Sequence, residues 1–186
     1  MFDLTPATRQ LSELVAGTRD DQLANPTPCT EWTVADLLAH VHQFASVFTT
    51  NAAKQPPNPP HHLVDDWRAA IPRQLDQLAA AWADEAAWQG RTSAGGIEMA
   101  AADNALVAVE ELTVHGWDLA VATGQPFGVG DVEVAHVERF IATFDQNPEP
   151  GTGPFGPVGP APASADGWQL ALSRLGRNPL WNTDSA

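Results

Sequence analysis

The sequence predicts an all-α protein: a four-helix bundle with crossover connections and a short helical C-terminal extension. Three observations carry that expectation. Apolar residues recur at three- and four-residue spacing in four long segments, as in helices that bury one face. Pro- and Gly-rich stretches separate these segments and cannot continue a helix. The connectors are long enough to cross the bundle, so the order need not be simple up-down-up-down. With 186 residues, the chain is long enough for one domain with a sizeable core and too short for two comfortable ones.

Thr5-Pro6 reads as an N-cap followed by proline at the first helical position. The first helix is expected to run to about Gln22, with Leu11, Leu14, Val15 and Thr18 on one stripe. NPTPCTEW (Asn25–Trp32) is a Pro-rich connector. Thr33 then opens a second helix, with Asp36 completing a capping box, and the helix extends to about Ala53. Four prolines between Lys54 and His62 enforce a loop. A third helix covers roughly Leu63–Ala83, with Trp67, Ile71, Leu75, Leu78 and Trp82 in register and Pro72 expected to kink it.

Ala86–Gly96 is turn-rich and extended in part. The fourth helix is expected from Ile97 to Thr123, stopped by Gly124. Val129–Phe144 predicts a shorter helix with Val132, Ala135, Phe140, Ile141 and Phe144 apolar. NPEPGTGPFGPVGPAPAS is too rich in Pro and Gly for regular structure. A last helix of about Ala165–Leu175 ends at Gly176.

Composition narrows the function. A formal net charge of −14 disfavours nucleic acid and anionic membranes, which both call for clustered Lys and Arg. No apolar run reaches the length of a membrane span. The N-terminus lacks a basic region followed by an apolar stretch, so a cytoplasmic protein is expected. A single cysteine, Cys29, excludes an intrachain disulfide framework and a thiolate-rich zinc site.

The chemistry concentrates in VEELTVHGWDLA. Glu111 and His115 are four residues apart and stack on one helical face with Ala108, Leu112 and Leu119. Burying an unpaired acid and imidazole on an apolar stripe is costly, and a divalent metal would neutralise the cost. His40 is the candidate third ligand, because Leu37, His40, Phe44 and Val47 recur at inward spacing while His42 points elsewhere. Three ligands with open positions suit a catalytic metal. A hydrogen-bonded core histidine, or a weak surface pair, explains the same residues without a metal.

Two runs carry a resemblance. Pro28–Val41 reads Pro-Cys-x-x-Trp-Thr-Val-x-Asp-Leu-Leu-x-His-Val, and Glu111–Pro126 contains His-Gly-Trp-Asp-Leu-Ala. Both resemble signatures of the mycothiol-dependent maleylpyruvate isomerase family, within the DinB/YfiT-like metal-binding superfamily. The tail PFGPVGPAPASADGWQLALSRLGRNP is similar to the end of one actinobacterial-type subgroup. The resemblance implies a DinB/YfiT-like bundle with a metal, zinc first and nickel, cobalt or iron as alternatives, held by His40, Glu111 and His115. It divides the chain into a metal-binding bundle, residues 1–126, and an extension packed on the same domain, residues 127–186.

It further implies mycothiol as the thiol cosubstrate and an electrophilic small molecule as its partner, in a transferase or isomerase reaction. The tail departs from the isomerase proper, which favours a thiol S-transferase. The alternative is a non-catalytic metal-binding or regulatory interaction protein. A homodimer is left open.

Other residues carry smaller expectations. Asp118 can orient the His115 ring or remain a surface acid. Asp36 is a cap, and Cys29 is expected to act as a small buried hydrophobe. His61 and His62 are expected in solvent, and His136 at the surface or in a capping role. Trp117 is a candidate pocket wall.

Overall fold

The computed structural model describes residues 1–94, 96–144 and 157–183. Four helices form the bundle: α1 (Thr5–Gly17), α2 (Val34–Ala52), α3 (Trp67–Trp82) and α4 (Ala101–Thr123). α1 packs on α3 and α4, and α2 packs on the same two. Neighbours around the bundle therefore run α1–α3–α2–α4, so the connections α1→α2 and α3→α4 cross it, as the long connectors allow. A hairpin of β1 (Arg91–Ala94) and β2 (Ile97–Ala100) precedes α4. Helix α5 (Asp131–Phe144) lies on α4, and α6 (Gly167–Arg174) lies on α5.

The local signals explain most boundaries. Thr33 Oγ1 accepts a hydrogen bond from the Asp36 amide and the Asp36 carboxylate accepts one from the Thr33 amide, a reciprocal cap that starts α2. Gly124 ends α4 at φ +68°, in the left-handed region that suits glycine. Asp166 and Gln169 cap α6 in the same reciprocal way.

Four expectations need correction. Leu4, not Thr5, is the N-cap of α1; Thr5 is already helical, and its amide donates to Asp3 Oδ1 at 2.9 Å. α1 stops at Gly17, and Asp20–Gln22 forms a separate 3-10 turn, because Thr18 and Arg19 are extended. α4 begins at Ala101 rather than Ile97. Ile97–Ala100 pairs antiparallel with Arg91–Ala94, which satisfies its backbone groups outside a helix. Val132 is 64% exposed, so the buried face of α5 is Val137, Phe140 and Ile141. Pro72 lies within α3, where Ile71, Leu75, Leu78 and Trp82 are buried. The Pro/Gly-dense run falls largely outside the described residues.

The core is continuous. Leu11, Leu37, Leu38, Val41, Leu75, Leu78 and Leu119 are fully buried within it. Two of its indoles have their donors satisfied: Trp82 Nε1 donates to the Phe48 carbonyl at 3.0 Å and Trp88 Nε1 to the Trp82 carbonyl at 2.8 Å. Asn51 donates to Ser93 of β1 and Asn104 of α4, which ties the hairpin to the α2–α4 seam. That seam positions the site. No helix among the described residues is long and apolar enough to cross a membrane.

Candidate metal centre

His40 on α2 and Glu111 and His115 on α4 meet across the seam. Glu111 Oε2 lies 3.2 Å from His40 Nε2 and 3.1 Å from His115 Nε2. The available ligand atoms of all three lie within 4.8 Å of one another. Helix register explains the convergence. Leu37, Leu38, Val41 and Phe44 turn α2 inward and leave His40 at the edge of the core with a side chain 26% exposed. Four residues separate Glu111 from His115, so α4 stacks them on one side. Trp32 and Phe44 crowd the two imidazoles, with ring centroids 4.9–6.2 Å away.

The other nitrogen of His115 meets a different set of residues. Its Nδ1 lies 2.9 Å from Asp118 Oδ2, and Asp118 is fully buried. That oxygen also accepts from Arg177 at 3.1 Å and from the Cys29 thiol at 3.2 Å. Cys29 reaches this position through a turn closed by the Trp32 amide donating to the Cys29 carbonyl at 3.0 Å. Glu31 takes φ +67° inside that turn, an uncommon value for a residue with a side chain. Arg177 arrives from beyond α6, and its NH1 donates to the Leu175 carbonyl at 2.7 Å.

Burial pushes every carboxyl here upward, and neighbouring charge decides the outcome. Burial raises Glu111, but hydrogen bonds from His115 and His40 outweigh it and hold the group well below the usual carboxylate range. Burial raises Asp118 too, and the Arg177 charge and the His115 hydrogen bond reverse it. Burial lowers His115, but Asp118, Cys29 and Glu111 together raise it well above an ordinary imidazole. Glu110 has no such support. Burial and the adjacent Glu111 charge push its carboxyl up to about 8.

Both nitrogens of His115 face carboxylates, so the metal-free ring carries both protons. The Nε2 proton occupies a place that a metal ion can take, and the proton on Nδ1 keeps its partner Asp118. Two imidazole nitrogens and one carboxylate oxygen fit a divalent cation with open positions. A second grouping of Cys29, His115 and Asp118 also has metal-type ligands in reach. In that grouping Asp118 Oδ2 already accepts from Arg177 and the Cys29 thiol, while Oδ1 has no partner. The cluster borders a cavity of about 680 Å³ whose walls include Trp32, Phe44, Val107, Phe140 and Leu175.

The three residues singled out as ligands from sequence are thus brought together. Asp118 is inside the site and Asp36 is a cap. Cys29 is not merely a small hydrophobe, since its thiol bonds Asp118 and lines the cavity. Trp117 is buried but does not line the cavity; Trp32 does. His61 and His62 are exposed, and His136 rests on the Phe2 ring. Glu110 and Arg177 were not anticipated. The Gly-Arg-x-Pro run at Gly176–Pro179 was the available signal for Arg177.

Fold and site together define a helical-bundle protein with a buried cluster able to hold a divalent metal. Residues 4–120 match the family described as the mycothiol maleylpyruvate isomerase N-terminal domain, and the chain belongs to that family. Two uncharacterized proteins of Mycobacterium tuberculosis, from strains CDC 1551 / Oshkosh and ATCC 25618 / H37Rv, are each 34% identical over 138 residues. The match covers 69% of this chain and 69% of each relative. No solved structure matches.

Proposed function

We propose that His40, Glu111 and His115 hold a divalent metal, zinc first, in an enzyme that joins a low-molecular-weight thiol to an electrophilic carbon. Mycothiol is the thiol this reading favours, and an S-transferase or an isomerase is the reaction class. The observation that carries it is the convergence of the three ligand atoms at the edge of a cavity large enough for a small molecule. A bound metal with an open position lowers the pKa of an incoming thiol, which is otherwise mostly protonated at neutral pH.

The remaining work falls to the chain. Asp118 fixes the ring of His115 through Nδ1, and Arg177 fixes Asp118. Trp32 and Phe44 cover the imidazoles and limit water. In this reading residues 1–126 form the metal-binding bundle, and residues 127–186 extend the same domain and brace the site through Arg177.

The test is zinc-dependent consumption of mycothiol with a model electrophile, for wild type and His115→Ala. Turnover that requires zinc and disappears in the variant supports the reading. Equal rates in both proteins overturn it. Zinc binding with no turnover moves the protein to the non-catalytic metal-binding alternative.

A further inference from the structure

One group on the cavity wall has no role in the cluster described above. Glu110 is 3% exposed and lines the cavity. Among the described residues its carboxyl has no hydrogen-bond or ion-pair partner; burial and the charges of Glu111, Arg177, His115 and Asp118 act on it without a direct bond. Buried polar groups are nearly always hydrogen-bonded, so an unpaired carboxyl that faces a cavity calls for a partner from outside the fold.

The neighbouring residues do not supply one. Glu111 follows it in sequence but is turned about 100° around the helix and faces the two histidines. Arg177 also lines the cavity; its NH1 and NH2 donate to the Leu175 carbonyl and Asp118, and its Nε, though without a partner, makes no bond to Glu110. Thr30 and Gln43 line the same cavity, and neither bonds Glu110. The side chains of Val107, Phe140, Phe144 and Leu175 are apolar walls. A cavity with an apolar lining and one unpaired carboxyl has the makeup of a site for an amphipathic ligand.

We propose that Glu110 is a ligand-recognition residue: its carboxyl receives an amine or hydroxyl donor at one end of a ligand whose apolar body fills the cavity. This deepens the enzymatic reading by naming a chemical feature of the molecule that enters. A ligand without a donor leaves the carboxyl desolvated and unpaired, so Glu110 selects against it. Glu110 binds the ligand directly and takes no part in holding the metal.

The experiment uses the full chain stripped of metal, so a failed metal site does not affect it. Binding of benzylamine, benzyl alcohol and benzyl methyl ether is measured by calorimetry at about pH 9, where the Glu110 carboxyl is ionised and can only accept. The three share a ring and differ in the head group. One or both donor compounds should bind about tenfold or more tightly than the ether, the effect of one hydrogen bond to a charged group. Glu110→Leu should erase the difference.

Glu110→Gln separates the two donors. An ammonium needs the charge and loses its advantage, whereas a hydroxyl needs only an acceptor and keeps most of it. Equal binding of all three, no binding of any, or a donor preference that persists in Glu110→Leu overturns the proposal. If Glu110→Leu does not fold, the wild-type series and the isosteric Gln variant still decide.

Discussion

The two nitrogens of His115 look out on two differently built regions. On the Nε2 side, His40 and Glu111 come from α2 and α4, and helix register alone sets their placement. On the Nδ1 side, Asp118 holds together a connector residue, Cys29, and a residue from the C-terminal segment, Arg177. The first region offers groups that could hold a metal. The second fixes the orientation and charge of one of them and spans much of the chain. The difference separates what the site binds from how firmly the fold holds it.

Removing a ligand should have the largest effect. His115→Ala should abolish zinc binding, read by competition with a chromophoric chelator, while circular dichroism stays helical because the apolar core is intact. Asp118→Asn should act less severely. It keeps the shape but loses the charge facing Nδ1, and metal affinity should fall by roughly 10–100-fold, as expected for a partner that only orients a ligand. If the two variants behaved alike, the division between the two sides of His115 would collapse.

Glu110 sharpens the comparison through pH. In the metal-free protein its folded pKa of about 8 exceeds the ordinary 4.5, so the folded state binds the extra proton between those values. Stability from this group is complete below about pH 4.5 and is lost as pH rises towards 8. Glu110→Gln should therefore flatten the decline of melting temperature across that window and raise it at pH 8. An unchanged slope would contradict the buried carboxyl. The smallest effect is expected from Cys29→Ser, which should keep appreciable thiol-transfer activity, because the exogenous thiol is the proposed nucleophile. Loss of turnover in that variant alone would make Cys29 the nucleophile.

The ease of reading each region from sequence follows the same division. His40, Glu111 and His115 are legible because periodicity reports which residues share a helix face. The reciprocal cap at Thr33 and the stop at Gly124 are equally local signals. Arg177 lies 59 residues from Asp118, and Cys29 lies 89 from it, so only the folded chain brings them together. Nothing local distinguishes Glu110 from a surface acid next to Glu111. The β2 strand escaped because Ile97–His115 contains no Gly or Pro, while its pairing with β1 is a tertiary fact.

The ion should bind on the Nε2 side of His115. A crystal structure of the zinc-loaded protein, with anomalous data collected at the zinc edge, tests it most directly. One peak should appear, bonded to His40, Glu111 and His115 Nε2 at about 2.0–2.2 Å, with the Asp118–Arg177 ion pair intact. A peak bonded to Cys29 and Asp118 through the Nδ1 side would contradict it.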